Sequence, residues 1–216
     1  MKVKACLFDL DGVIVDTAKY HFKAWKEVAA ELGFEFTEEN NERLKGVSRM
    51  TSLEILLEVG GISLSDEEKL RIAEQKNQRY ISYIEKMTPD EILPGVVEFL
   101  TELKSAGIKT AIGSASKNAP LILNRLNLTN YFDVIVDGNK VSKAKPDPEV
   151  FLKGSDALQI APEECVVFED AAAGVEAALN GGMKCVGIGL PENLGKAHLV
   201  IPGFQNFSLK NLKKIN

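Results

Sequence analysis

The sequence contains little cysteine, only Cys6, Cys165 and Cys185 among 216 residues. All three lie in apolar segments that we predict to be strands. Their odd number, without the spacing of metal ligands, argues against a disulfide framework. We therefore expect buried, unreactive thiols.

Long apolar runs and basic blocks are also missing. No apolar run is long enough to cross a membrane, and the short run near the N-terminus is cut by Asp9, which is not the pattern of a signal peptide. We therefore expect a cytoplasmic protein without a membrane partner. The net charge of −5 includes no basic block, so we expect no nucleic-acid partner either. An anionic substrate would need individual lysine or arginine side chains at its site.

What the sequence does contain is an apolar run over residues 4–12 that ends in two aspartates. A continuous apolar run predicts a buried strand of a parallel sheet, and such sheets bind ligands at the carboxyl ends of their strands. Asp9 and Asp11 occupy that end. Side chains two residues apart on a strand point the same way, about 6–7 Å from each other, which leaves room for a reacting group. A strand end capped by two solvated aspartates is the alternative.

Helical patterns alone fill residues 15–88, and strands and helices alternate after that. This order predicts an α/β protein with a doubly wound parallel sheet, a Rossmann-like core, and a helical cap inserted after the first strand. We assign residues 1–14 and 89–216 to the core catalytic domain and residues 15–88 to a four-helix cap domain. Both connections are candidate hinges.

Polar residues follow each later strand at the same predicted edge. The turn after the second strand, residues 113–118, has small residues before a helix, which suits a phosphate or a simple N-cap. Lys145 follows the third strand, where a solvated loop lysine is the alternative. The fourth strand ends in Glu169 and Asp170.

These two residues bring the number of acids at the edge to four. Without a cation, such crowding raises carboxylate pKa values and costs stability. A divalent cation resolves the conflict, and oxygen-only ligands suit Mg²⁺.

Together these segments resemble the four motifs of the haloacid-dehalogenase-like phosphotransferase superfamily. The matching residues, in order, are Asp9-Leu10-Asp11-Gly12-Val13, Ser114, Lys145-Pro146 and Glu169-Asp170. The helical insertion has the position and size of that superfamily's four-helix cap. Residues 16–25, 44–49, 114–118 and 126–133 are similar, more narrowly, to its hexose-phosphate mutases.

The resemblance implies an isomerase that interconverts β-glucose 1-phosphate and glucose 6-phosphate through β-glucose 1,6-bisphosphate, which also serves as primer. Asp9 would become an aspartyl phosphate, and the protein would pass through a phosphoprotein form. Asp11 would be the general acid and base, oriented by Thr17 and His21. The partner would be a small sugar phosphate, and we expect a monomer.

The resemblance also implies ligands for the metal and for both phosphates. Mg²⁺ would be held by Asp9, the Asp11 carbonyl and Asp170, with Glu169 as a further ligand or a supporting group. The transferring phosphoryl group would contact Ser114, the Ala115 N–H and Lys145, and the Lys145-Pro146 bond would be cis. The distal phosphate would contact Arg49, Ser116, Lys117 and Asn118. The sugar would contact Trp25, Gly46, Val47, Ser48 and Lys76.

Two other functions remain open at this stage. A sugar-phosphate phosphatase with the same core and cap would pass the phosphoryl group to water. A phospho-acceptor signalling domain also places aspartates around Mg²⁺, but it needs neither a cap nor an acid/base aspartate.

Overall fold

The computed structural model describes residues 3–44, 47–212 and 215 of the chain. Its centre is a six-stranded sheet in the order β3-β2-β1-β4-β5-β6, and every neighbouring pair is parallel. The strands are β1 Ala5–Phe8, β2 Lys109–Gly113, β3 Val134–Val136, β4 Cys165–Glu169, β5 Lys184–Ile188 and β6 Leu199–Ile201. This is the strand order of a Rossmann sheet, with a crevice where the order reverses beside β1. The predicted fold class is confirmed.

Ten α-helices are described in this part of the chain. The first four follow β1 directly: α1 Ala18–Glu31, α2 Glu38–Glu42, α3 Arg49–Gly60 and α4 Asp66–Ile84. The others are α5 Val96–Ser105, α6 Ala119–Arg125, α7 Glu149–Leu158, α8 Ala172–Asn180, α9 Pro191–Leu194 and α10 Leu209–Leu212.

Strand β1 is apolar throughout because both of its faces are covered. Cys6 and Phe8 join the cluster that packs on α5 and α6, whereas Ala5 and Leu7 join the cluster on the α7 and α8 side. The Phe8 ring stacks on the Phe168 ring of β4 with centroids 4.7 Å apart. This packing holds the carboxyl ends of β1 and β4 side by side.

The helices α1–α4 form the predicted insertion and have a hydrophobic cluster of their own. Trp25, Val28, Leu53 and Leu56 are among its buried members. Helix α4 begins at a capping box, in which Ser65 and Glu68 each bond the backbone N–H of the other. The exact domain boundaries that we expect, at residues 14/15 and 88/89, stay a prediction.

The two connections between cap and core lie next to each other. Val15 forms isolated bridges with both Asp11 and Ile92, and so links the chain leaving β1 to the chain returning from α4. The hinge at this place stays a prediction. The three cysteines are buried and unpaired, as predicted. In the described part of the chain, no helix is long and apolar enough to span a membrane.

Candidate active site

The loop after β1 brings Asp9 to the carboxyl edge of the sheet. Its backbone N–H donates to the Phe168 carbonyl at 2.9 Å, which extends the pairing of β1 with β4 by one residue. The chain then turns at Gly12, whose φ of +82° favours glycine. A Cβ on Gly12 would strike the Asp170 carboxylate, so the loop packs directly against that side chain. Asp9, Asp11 and Asp170 line the same cavity.

A buried ammonium group lies between two of the acids. Lys145 Nζ donates to Asp9 Oδ1 at 2.6 Å and to Glu169 Oε1 at 2.5 Å. Burial alone would lower the pKa of Lys145, but the two carboxylates outweigh it and raise the pKa. The Lys145-Pro146 bond is cis, as the resemblance implies. Lys145 is therefore charged, and it offsets the negative charge of the nucleophile candidate.

Glu169 supports the site from behind. Its second oxygen, Oε2, accepts the Ala171 N–H at 2.9 Å, so both carboxylate oxygens bond to protein groups. Burial raises the pKa of Glu169, the Lys145 ammonium opposes this, and Asp9 adds to the rise. This placement favours the supporting role for Glu169 over the role of a metal ligand.

Gly174 on α8 makes room for the Glu169 carboxylate, which leads to a prediction. Gly174→Ala should destabilise the protein by about 1–3 kcal/mol, because a Cβ there would overlap that carboxylate. The better helix propensity of alanine, about 1 kcal/mol, would only partly offset this. Urea unfolding measures the difference. Gly203→Ala is the control, because a Cβ at Gly203 meets no atom within 4 Å. Equal stability of the two variants would contradict the close packing of Gly174 against the Glu169 carboxylate.

Asp11 is held by the residue that begins the cap. The hydroxyl of Thr17, which is fully buried, donates to Asp11 Oδ1. Burial raises the pKa of Asp11, the neighbouring Asp9 raises it further, and the Thr17 hydrogen bond opposes both. A raised pKa suits a group that must both give and take a proton near neutral pH. The expected orientation of Asp11 by Thr17 is present.

His21 has a different partner from the one expected. Its Nδ1 lies 2.8 Å from Lys76 Nζ, rather than bonding Asp11. Burial and the nearby Lys76 charge lower the pKa of His21 well below its usual value, so the imidazole is neutral and Nδ1 accepts from the ammonium. Burial also lowers the pKa of Lys76 to about 7. His21 therefore holds Lys76, whose Nζ lies 4.7 Å from the centre of the Trp25 ring system.

The turn after β2 is organised by serine side chains. Ser114 is buried, and its Oγ accepts the Ser116 N–H at 3.1 Å. The Asn118 N–H in turn donates to Ser116 Oγ at 3.2 Å. Because these hydroxyl oxygens act as acceptors, their own O–H groups remain available as donors to an anion.

At the other wall of the site, Arg49 of the cap and Asn118 of the core bind the same side chain, Asn77. Arg49 Nη2 and Asn118 Nδ2 each donate to Asn77 Oδ1, both at 2.9 Å. Arg49 Nη1 also lies 3.4 Å from Glu74 Oε2. Two of the side chains expected to bind the distal phosphate are thus brought together.

A cavity of about 680 Å³ lies between cap and core. Most of the predicted site residues line it: Asp9, Asp11, His21, Trp25, Val47, Ser48, Arg49, Lys76, Ser114, Ala115, Ser116, Lys117, Asn118 and Asp170. Thr17 and Lys145 do not line the cavity but donate hydrogen bonds to the lining carboxylates of Asp11 and Asp9, and Glu169 in turn accepts a hydrogen bond from Lys145. Gly46 lies outside the described residues. The volume is within the usual range for a small-molecule site.

The acids of this cavity fit the ion that the resemblance implies. Asp9, Asp170 and the backbone of Asp11 offer oxygen atoms only, which suits Mg²⁺. Within residues 3–44, 47–212 and 215, no three His, Cys, Asp or Glu side chains form a metal-binding group by themselves. A ligand set of two carboxylates and one carbonyl, completed by water and phosphate, agrees with that observation.

Asn77 and Tyr80 are among the residues of the cavity wall that were not anticipated. The Tyr80 ring stacks on the His21 ring with centroids 4.0 Å apart. A signal for Asn77 was present: Lys76 and Asn77 interrupt the apolar stripe of α4, and both are buried. Polar residues at buried positions of a helix are unusual unless they are paired.

Comparison with known proteins identifies the family of the chain. A profile of the haloacid dehalogenase-like hydrolases matches residues 3–182. The chain is 42% identical to β-phosphoglucomutase of Bacillus subtilis over 97% of its length and 94% of that protein. It is 38% identical to a phosphorylated carbohydrates phosphatase of Thermotoga maritima, over 91% of this chain and 90% of that protein.

A solved structure extends the similarity to three dimensions. The crystal structure of β-phosphoglucomutase from Clostridium difficile superimposes with a TM-score of 0.95 at 43% identity, over 99% of this chain and 96% of that one. Since the profile match and the relatives cover most of the chain, cap included, the chain belongs to the haloacid dehalogenase-like hydrolase family.

Proposed function

We propose that this protein is a β-phosphoglucomutase, which interconverts β-glucose 1-phosphate and glucose 6-phosphate. The observation that carries the proposal is a single cavity lined by two kinds of site. Asp9 and Asp11 supply a nucleophile with an acid and base, whereas Arg49 and Asn118 supply donors for a second phosphate. A mutase must hold both phosphates of a bisphosphate at once. A guanidinium group can donate two parallel hydrogen bonds to one phosphate.

The chemistry follows from the contacts of the two aspartates. An Asp9 oxygen attacks phosphorus of the bound bisphosphate, and a P–O bond to the sugar breaks as the aspartyl phosphate forms. The departing sugar oxygen takes a proton from Asp11. In the second half, Asp11 takes a proton from the hydroxyl at the other end of a sugar monophosphate, and that oxygen attacks phosphorus and releases Asp9. The sugar has then been phosphorylated at a new position.

The remaining residues lower the cost of these steps. Lys145 offsets the charge of Asp9. Ser114 and the Ala115 N–H, which line the same cavity, would contact the transferring group. Bound by Asp9, Asp170 and the Asp11 carbonyl, Mg²⁺ would neutralise charge on the transferring phosphoryl group. Lys76, held by His21 beside Trp25, and Val47 and Ser48 would contact the sugar.

A sugar-phosphate phosphatase is the second candidate, because the Thermotoga maritima relative carries that name. The enzymes differ in whether a sugar hydroxyl or water accepts the phosphoryl group. The test is to mix the purified protein with β-glucose 1-phosphate, Mg²⁺ and a trace of β-glucose 1,6-bisphosphate. Glucose 6-phosphate forming faster than inorganic phosphate supports the mutase, and the reverse ratio contradicts it.

Arg49→Lys provides a prediction within this assay. We expect the KM for β-glucose 1-phosphate to rise by about 10-fold or more, since lysine replaces a forked pair of donors by a single charge. The ratio of inorganic phosphate to glucose 6-phosphate should rise as well, because a loosely held sugar competes less well with water. Arg71→Lys on the exposed side of α4 is the matched control. Unchanged KM and ratio for Arg49→Lys would remove Arg49 from the distal site.

We also propose that a monomer acts on the sugar phosphate. One copy of the chain supplies the two aspartates and the donors for a second phosphate, which supports a complete site without a second copy. The cytoplasmic location and the lack of a nucleic-acid partner stay predictions.

A further inference from the structure

One buried amide of the cap touches both halves of the distal site. Asn77 on α4 is 9% exposed. Its Oδ1 accepts Arg49 Nη2 and Asn118 Nδ2, each at 2.9 Å. Arg49 begins α3 in the cap, whereas Asn118 precedes α6 in the core. A single carbonyl oxygen therefore joins the two domains at the point where the distal phosphate is expected.

We propose that Asn77 is a positioning residue, which assembles the distal phosphate site and ties the cap to the core. Arg49 Nη2 and Asn118 Nδ2 donate hydrogen bonds to the same oxygen, Asn77 Oδ1, so the two nitrogens lie no farther apart than twice the hydrogen-bond distance of 2.9 Å. That separation lets both nitrogens reach oxygens of the same phosphate. The proposal rests on the proposed function, because it assigns a second phosphate to this cavity.

The contacts show why other residues would not replace Asn77. Arg49 also pairs with Glu74, but that contact is longer, at 3.4 Å, and the Glu74 side chain is 58% exposed. The hydrogen bond to the Asn77 side-chain amide is therefore the better defined restraint on the Arg49 guanidinium. An aliphatic residue at 77 would leave two donors without their acceptor, which is costly in a buried place.

The neutral charge of the amide is the second requirement. A carboxylate at position 77 would accept the same two hydrogen bonds and would keep the cap tied to the core. It would, however, place a negative charge beside the bound phosphate and repel it. Asn77→Asp therefore separates the two roles of the residue, whereas Asn77→Ala removes both.

Equilibrium binding tests the proposal without turnover. The chain has a single tryptophan, Trp25, and it lines the cavity, so its fluorescence reports binding. In an Asp9→Asn background, β-glucose 1,6-bisphosphate with Mg²⁺ should bind about 10-fold or more weakly to Asn77→Ala. Gln75→Ala, an exposed amide on the same helix, is the control and should bind normally. Equal affinities of these two variants would overturn the proposal.

Turnover of Asn77 variants with an intact Asp9 gives the second readout. Asn77→Ala should raise both the KM for β-glucose 1-phosphate and the ratio of inorganic phosphate to glucose 6-phosphate. Asn77→Asp should also raise the KM, but it should raise the ratio less than Asn77→Ala does, because the cap remains tied to the core. An unchanged KM for Asn77→Asp would overturn the role of the neutral acceptor. Since aspartate has the shape of asparagine, that variant also guards against a folding defect.

The two proposals fail in distinguishable ways. If the unmodified protein released only inorganic phosphate, the mutase proposal would fail. The fluorescence titration uses protein that cannot transfer phosphate, so it would still decide whether Asn77 organises a site for the second phosphate.

Discussion

Asp9→Asn is expected to reduce phosphoryl transfer on the order of 10⁶-fold, the size of loss that follows removal of a covalent nucleophile. An amide oxygen is a poor nucleophile, and asparagine cannot form the aspartyl phosphate. The fold should survive, because the backbone N–H at position 9 still donates to the Phe168 carbonyl. The measurements are the primed mutase assay and mass spectrometry of the protein after incubation with bisphosphate. The unmodified protein should carry a phosphoryl group, and the variant should carry none.

Asp156→Asn is the matched control for this experiment. Asp156 is an exposed aspartate on α7, on the side of the sheet covered by α8. Its replacement makes the same change in charge and atoms but should leave turnover intact. If Asp9→Asn kept more than about one thousandth of the activity, a covalent role for Asp9 would be wrong. The binding groups that remain would then account for the residual rate without a covalent intermediate.

Lys145→Met is expected to destabilise the folded protein by about 3–5 kcal/mol near neutral pH. The ammonium group is the shared partner of Asp9 and Glu169, and all three side chains are buried or nearly so. Methionine fills a similar volume but leaves two buried carboxylates without their counter-charge. Urea unfolding with a metal chelator measures the free energy of unfolding. Lys104→Met on α5, where the lysine is exposed, should leave it nearly unchanged.

The pH dependence of the Lys145→Met variant has a definite sign. Burial and Asp9 already raise the pKa of Glu169 against the opposing effect of Lys145. Without the ammonium, the folded-state pKa rises further above the unfolded value. A group of this kind stabilises the fold below its unfolded pKa and loses that contribution as pH rises through its folded pKa.

The deficit of the variant should therefore shrink on acidification, from about pH 7 to about pH 5, as one carboxyl group becomes protonated. Urea unfolding at several pH values, with the unmodified protein alongside, measures that deficit. A deficit that stays constant or grows toward acid would show that Lys145 stabilises the fold by packing, for example against the Phe151 ring, whose centre lies 4.8 Å from Nζ.

Asp9 and Asp11 lie at the same strand end but have different hydrogen-bond partners. Lys145 donates a hydrogen bond to Asp9 and places a positive charge beside this carboxylate. Asp11 is turned to Thr17 instead, and burial with the Asp9 charge raises its pKa. Two carboxylates with such different hydrogen-bond partners can divide the roles of nucleophile and general acid.

Sequence periodicity determined the layered architecture of this protein. The apolar run before Asp9 predicted a buried parallel strand, and residues 15–88 predicted an inserted helical unit. The strand and the helices could be predicted because the spacing of apolar residues that distinguishes them involves only residues close together in the sequence. The polar residues after β1, β2 and β4 could likewise be placed at one edge, since parallel strands end on the same side of a sheet.

The pairing of side chains across the cavity was decided only by tertiary structure. His21 and Lys76 lie on different helices of the cap, and their contact replaced the expected one between His21 and Asp11. Asn77 meets Asn118 only because α4 lies over the start of α6. A hydrogen bond depends on distances of tenths of an ångström between segments far apart in the chain, and residue order does not encode such distances directly. The sequence by itself therefore determined which strand ends and helices carry the reactive groups, whereas the closed fold decided which groups touch.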